Sequence, residues 1–367
     1  MKLLGKGYYI WQMPSCESGN AQAIAERALT SGLSHVMVKI VDGAGWDYNI
    51  DSKTGVDMVP PLVQALHDRG IQAWGWHYVR GDQPVAEAHS AIKRIRDLGV
   101  DGYIIDAEVE YRDRNKTWAA QRFMQEMRTA FPNLPMALST YRYPKSHPDL
   151  PYSAFLEGCD FAMPQVYFEQ AHNPVEQLQR SVDQYMALTP ARPIIPTAPT
   201  YKRGDWMPTT QDINRFFDHA KTIGLTAANA WSWDIAGRAA YTQLWNAVAD
   251  FDWPGKPPIA DMPERLVGRI NEHDTGLIAG LYVDNAAHVT GERTVVGKPA
   301  IQAWYDSLLK EKLPKATFKV TGKTGTGATR HFTWTATSDK GSVVDGNDTL
   351  NVQDGRIRYH YTYFHIP

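Results

Sequence analysis

The chain has 367 residues, of which 43% are hydrophobic and 21% charged, with a formal net charge of -2. That length exceeds one ordinary domain, the balance is that of a globular protein with ample core material, and the charge gives no reason to expect nucleic acid or an anionic membrane as partner. Cys16 and Cys159 are the only cysteines, too few for a disulfide framework and without metal-ligand spacing, and no run of about 18 apolar residues suggests a membrane span.

The first residues, Met1-Lys2-Leu3-Leu4-Gly5-Lys6, carry charge but no apolar core of a signal peptide. That fits a cytoplasmic protein, or a secreted one whose signal has been removed. Up to residue 253, β-rich runs alternate with amphipathic segments. Strands are expected at 8–12, 35–41, 72–79, 102–106, 136–140, 161–166, 194–197 and 227–233. Helices are expected between them at 21–30, 62–69, 85–98, 118–131, 174–187 and 211–223, with a last one at 241–249. Asn20 or Thr210 can cap, Pro84 and Pro174 suit a first turn, and Gly32, Gly70, Gly99 and Gly224 suit helix ends. Eight strands alternating with helices over about 250 residues predict a closed (β/α)8 TIM barrel.

Residues 254–259 break the rhythm and read as a Pro-rich linker. Beyond it, helices are expected at 263–282 and 298–309, then strands at 317–324, 330–337, 341–353 and 356–365 with hairpin turns at Asp339-Lys340-Gly341 and Asp354-Gly355. Helices followed by an antiparallel meander give an α+β domain over 260–367. This tail resembles the SnoaL-like branch of the nuclear-transport-factor-2-like (NTF2-like) superfamily. The resembling residues are Asn271-Glu272-His273-Asp274, then 279–286 (Ala-Gly-Leu-Tyr-Val-Asp-Asn-Ala), Gly297-Lys298-Pro299-Ala300-Ile301 and Asp354-Gly355-Arg356-Ile357. The resemblance implies a cone of curved sheet around a ligand pocket and a homodimer formed through this domain.

The segment Gly102-Tyr103-Ile104-Ile105-Asp106-Ala107-Glu108-Val109-Glu110 carries the chemistry. An apolar strand ends in three carboxylates at alternate positions, so Asp106, Glu108 and Glu110 share one face if pairing persists. Like charges roughly 6–7 Å apart raise at least one pKa and keep a carboxylic acid protonated near neutral pH. The bland alternative is a solvated acidic loop. Active sites of such barrels lie at the C-terminal strand ends. Those ends add Lys39 and Asp42, His77 and Tyr78, Met163-Pro164-Gln165-Val166-Tyr167, and Trp231-Ser232-Trp233-Asp234. An acid cluster facing Gln, Tyr and Trp suits glycoside hydrolysis, in which an acid protonates the leaving oxygen and an aromatic platform holds the ring.

The fourth-strand run Asp101 to Glu108 resembles the motif of family 18 chitinase-like glycoside hydrolases, which implies Glu108 as the acid and Asp106 as its partner. Met163 to Tyr167 is similar to that family's sixth strand, implying that Tyr167 assists an N-acetyl group, and Trp231 to the Trp flooring its sugar site. The Asp106-Ala107-Glu108, Gly75-Trp76-His77-Tyr78 and Pro164-Gln165-Val166-Tyr167 runs equally resemble family 25 lysozyme-type barrels. Ile104 stands where the chitinase motif carries its first Asp, and the first strand, Tyr8-Tyr9-Ile10-Trp11-Gln12, lacks the Asp of family 25.

The resulting expectation is a glycosidase-like hydrolase acting on a β-linked, N-acetylated glycan. Glu108, Asp106 and Tyr167 would be catalytic, and Gln165, Trp231, Trp233, His77, Tyr78 and Asp42 would bind substrate. A non-catalytic carbohydrate-binding barrel, and a protein whose ligand occupies the C-terminal pocket, are the alternatives. His77 also fits a hydrogen-bonded core histidine, Glu110 an arginine-paired loop residue, and Lys39 either an ion pair with the acids or a snorkelling residue. No phosphate loop, dinucleotide fingerprint or His-rich cluster is present, so neither metal nor cofactor is expected.

Overall fold

A computed structural model describes residues 3–113, 116–253, 261–325, 328–353 and 356–366. The expected linker at 254–259 and the Asp354-Gly355 turn lie outside the described residues. Two compact units make up the chain, residues 1–95 with 100–257 and residues 258–367 with 96–99.

The first unit is a closed barrel of eight parallel strands. They are β1 (Gly5–Ile10), β2 (His35–Asp42), β3 (Gln72–Val79), β4 (Gly102–Ala107), β5 (Met136–Tyr141), β6 (Phe161–Gln165), β7 (Thr197–Pro199) and β8 (Ala227–Trp231). Each pairs in parallel with the next, and β8 closes onto β1. After them in turn come α1 (Ala21–Thr30), α2 (Val59–Asp68), α3 (Pro84–Leu98), α4 (Thr117–Ala130), α5 (Tyr152–Leu156), α6 (Pro174–Met186), α7 (Thr210–Thr222) and α8 (Thr242–Ala249). The expected elements are present with ends shifted by a few residues. Asn20 caps α1 through Ala23 N–H. Thr209, rather than Thr210, caps α7, in a reciprocal box with Asp212.

Because side chains alternate along a strand, every second residue enters the barrel. Tyr9, Met37, Trp74, Trp76, Ile104, Phe161 and Met163 fill it, and their successors at the C-terminal strand ends form the mouth. Low in the interior, His35 of β2 is hydrogen-bonded through Nε2 to Asn229 Oδ1 of β8 at 2.7 Å. The ring passes over Gly7 of β1, where a Cβ would fall 2.3 Å from it. Burial pushes the His35 imidazole down to about 4, against the pull of the Asn229 bond, so the ring is neutral at pH 7.

The second unit opens with α9 (Met262–Asn271) and α10 (Thr275–Gly280). The single helix expected over 263–282 is therefore two. His273 takes a left-handed φ of 58°, and Asp274 restarts the helix by accepting from Gly276 N–H (2.9 Å) and Leu277 N–H (3.1 Å). Tyr282 belongs to a strand instead. The sheet comprises β9 (Tyr282–Val289), β10 (Thr294–Val296), β11 (Thr317–Thr324), β12 (Thr329–Ser338), β13 (Gly341–Gln353) and β14 (Arg356–Tyr363), in the order β10-β9-β14-β13-β12-β11. The expected meander holds for β11 to β14, but β9 joins β14 in parallel. A third helix, α11 (Lys298–Ser307), completes the core with Trp304, Phe332 and Trp334. No helix among the described residues is long and apolar enough to cross a membrane.

Candidate functional site

A cleft of about 690 Å³ opens at the C-terminal ends of the barrel strands. Asp106 leaves β4 pointing inward and is buried. Strand pairing ends at Ala107, yet Glu108, at φ −128° and ψ −130°, still turns into the same cleft. The two carboxyls meet at one amide: Gln165 Nε2 donates to Asp106 Oδ1 at 3.0 Å and to Glu108 Oε1 at 2.8 Å. Ser139 Oγ lies 3.4 Å from the same nitrogen.

Burial, reinforced by the Glu108 charge, pushes the Asp106 carboxyl well above the carboxylate range, while Lys39, Ser139 and Gln165 oppose it. Burial also raises Glu108. The Gln165 donation counters that, the Glu110 charge adds to it, and the Lys39 charge counters it again. Glu110 itself sits in the short 3-10 turn Val109–Arg112, accepts from Tyr78 Oη at 2.7 Å and lies 4.0 Å from Arg80. It forms no part of the cleft lining.

An aromatic floor lies beside the carboxyls. Trp231, at the end of β8, meets Trp76 at 5.5 Å and Tyr9 at 5.6 Å between ring centroids, and a cis peptide links it to Ser232. Tyr167 lines the cleft edge-on to Tyr201, 5.6 Å away. Burial, and the nearby charges of Tyr201, Asp106 and Glu108, hold the Tyr167 phenol well above its usual range, so it stays a hydroxyl donor. Lys39 is buried and takes the ion-pair reading, with Asp42 rather than the central carboxyls, at 2.7 Å. Its Nζ also stands 4.8 Å from the Trp76 ring centre. Burial alone would raise Asp42, but hydrogen bonds and charges from Lys39 and Arg80 bring it below the usual carboxylate range.

The cleft thus gathers Asp106, Glu108, Gln165, Tyr167, Trp231, Tyr78 and Asp42. Two expected binding residues are elsewhere. Between inward-facing Trp76 and Tyr78, His77 faces out of the barrel, where it is hydrogen-bonded to Tyr103 Oη (2.8 Å) and Gly43 O (2.9 Å). Burial pushes it down to about 4, the Gly43 bond opposing, so it is a neutral core histidine. Trp233 is fully buried, because the chain turns into the short helix Trp233–Ala236 and ends the alternation that Trp231 began. Its indole donates to Glu17 at 2.7 Å and packs against Tyr8 and Trp245. Sequence reasoning missed Tyr9, Trp76 and Arg142 in the lining; for Trp76, alternation from Tyr78 was the available signal.

The second unit holds a buried polar chain that sequence reasoning also missed. Asp348 accepts from Trp334 Nε1 and is bonded to His360 Nε2, both at 2.8 Å. His360 Nδ1 continues to Tyr282 Oη at 2.8 Å, and Tyr282 to Tyr305 at 2.9 Å. A void of about 10 Å³, no larger than one water needs, adjoins Asp348 and His360. No group of His, Cys, Asp and Glu among the described residues is arranged to hold a metal ion, and both cysteines are free and buried.

No protein-family model matches the sequence, and no curated protein matches it. Solved structures similar to part of the chain include an NTF2-like protein of unknown function from Cytophaga hutchinsonii, at 12% identity over 27% of this chain and 83% of that one, with a TM-score of 0.24. Another, also NTF2-like and of unknown function, comes from Burkholderia xenovorans, at 16% identity over 28% and 78%, with a TM-score of 0.25. A SnoaL-like family protein from Agrobacterium tumefaciens shares 21% identity over 27% and 94%, with a TM-score of 0.23.

Proposed function

We propose that the first unit is a TIM barrel of the glycoside hydrolase type that cleaves a β-linked, N-acetylated glycan, and that the second is an NTF2-like cone through which the chain dimerises. The observation that carries the enzymatic reading is the single Gln165 amide donating to both Asp106 and Glu108 beside an aromatic floor. A buried pair of like charges sharing one donor favours holding a proton. Glu108, the less buried of the two, donates that proton to the glycosidic oxygen. As the glycosidic C–O bond breaks and the protonated leaving group departs, the Asp106 carboxylate stabilises the oxocarbenium-like centre, Tyr167 orients the N-acetyl group, and the sugar ring lies on Trp231. Addition of water to that centre, with its proton returned to Glu108, completes hydrolysis.

The test is hydrolysis of chito-oligosaccharides and of peptidoglycan fragments, with Trp fluorescence as the binding readout. Glu108→Gln should lower turnover by about 10²–10⁴-fold while leaving the fold intact, and Trp231→Ala should lose the fluorescence response. Native-rate hydrolysis by Glu108→Gln would overturn the assignment. Glycan binding with no hydrolysis by the native protein would favour the non-catalytic sugar-binding barrel, a reading supported by the Trp231–Trp76–Tyr9 floor, which stacks without acids. If no glycan bound at all, the reading in which the second unit carries the ligand-binding function would be favoured.

A further inference from the structure

We propose that the cleft wall following β5 is a subsite for a negatively charged sugar, whose carboxylate is taken by the guanidinium of Arg142. The inference rests on the glycan-acting reading of the barrel and adds the substrate's charge. Among the described residues four Lys and Arg side chains line the cleft, and three of them already face carboxylates: Lys39 and Arg80 pair with Asp42, and Arg203 pairs with Glu169. Arg142 differs. Its Nη1 donates to two neutral acceptors, the Tyr167 carbonyl and Gln177 Oε1, the latter at 2.7 Å. Among the described residues no carboxylate pairs with it, and its Nε and Nη2 have no acceptor.

A second cation sharpens the imbalance. The guanidinium carbons of Arg142 and Arg180 lie 5.0 and 4.2 Å from the ring centre of Tyr143. Neither arginine has a carboxylate partner among the described residues. Two like charges around one ring repel unless an anion joins them. A guanidinium with free donors in its planar fork matches a carboxylate in two parallel hydrogen bonds. Beside it, Tyr141 stacks on His147 with centroids 3.9 Å apart, giving the same wall a flat surface against which a sugar ring can lie. A carboxylate on the ring, as in a uronic acid, and one on an ether-linked side chain present the same group to this site.

The test uses oligosaccharides of both kinds, each beside its methyl ester, with kcat/KM and fluorescence-detected Kd read for acid and ester. The native protein should favour the acid over the ester by about tenfold or more, and the preference should shrink as salt rises. In Arg142→Gln the ratio should fall to about one. Arg142→Lys, which keeps the charge but loses the fork, should fall between and serves if the first variant does not fold. Which oligosaccharide shows the preference distinguishes the two carboxylate sources. Equal handling of acid and ester by the native protein, a ratio unchanged in both variants, or no binding of any of them would overturn the subsite. Binding with the expected ratio but no cleavage would overturn the hydrolase and leave the subsite standing.

Discussion

Gln165→Leu removes the donor that Asp106 and Glu108 share while nearly keeping the side chain's volume. The structure gives two bonds to lose, at 3.0 and 2.8 Å. A hydrogen bond to a charged group contributes about 1.5–3 kcal/mol and one to a neutral group about 1 kcal/mol. With one carboxyl of the pair ionised, the loss would reach about 3 kcal/mol in a dry site. Gln165 and Glu108 are only half-buried, so water replaces part of it and about 2 kcal/mol remains. For a unit of this size that is a melting-temperature drop of about 4–8 °C at pH 7, read by Trp fluorescence. The Gln165 donation holds both carboxyls down, so the variant's acidic groups should titrate at higher pH, shifting the pH–activity profile upward. Because burial raises both carboxyls, they become neutral as pH falls towards the ordinary carboxylate range from above, and the stability difference should shrink there. A variant that melts with the native protein at pH 7 and keeps its pH profile would refute the idea that this amide organises the pair.

Asp106→Asn should stabilise the barrel at pH 7. The raised native pKa means that the folded state binds the proton more tightly than the unfolded one, so this group's contribution falls as pH rises above the unfolded value. Denaturant midpoints should show the variant's gain at pH 7 and its disappearance below about pH 4; a pH-independent difference would count against burial raising the Asp106 carboxyl. Trp233→Ala should cost about 3–5 kcal/mol of stability yet leave the fluorescence response to glycan in place, and loss of that response in a folded variant would contradict its placement away from the cleft. Asp274→Ala removes the cap of α10 and should cost about 1 kcal/mol, measured as a lowered denaturation midpoint with reduced helical signal.

The barrel was legible because its signals are local. The strand expected at 72–79 is the strand observed, since alternation and flanking turns fix it without reference to partners. β7 was harder: Pro193 and Pro196 remove donors, Ile194 makes only an isolated bridge, and the strand proper begins at Thr197. The long helix at 263–282 misled because its apolar spacing runs across a break, marked only by a left-handed His273 and the Asp274 cap. For the site, the Asp106–Glu108 spacing was visible in one run of sequence. The Gln165 amide that joins them lies 57 and 59 residues away, and that convergence is a property of barrel closure that no local pattern encodes.

The His35 ring lying over Gly7 ties positions on three neighbouring strands into one evolutionary unit. Any side chain at residue 7 would evict the ring, and losing the ring would leave Asn229 without its partner on β2. Substitution there should therefore come as a set. A related barrel with Ala or Ser at the position of Gly7 should carry a smaller residue in place of His35 and an apolar one in place of Asn229, whereas a chain that keeps the histidine should keep the glycine. Joint variation across these three sites would trace descent through the barrel's seam even where the cleft residues have diverged with the substrate.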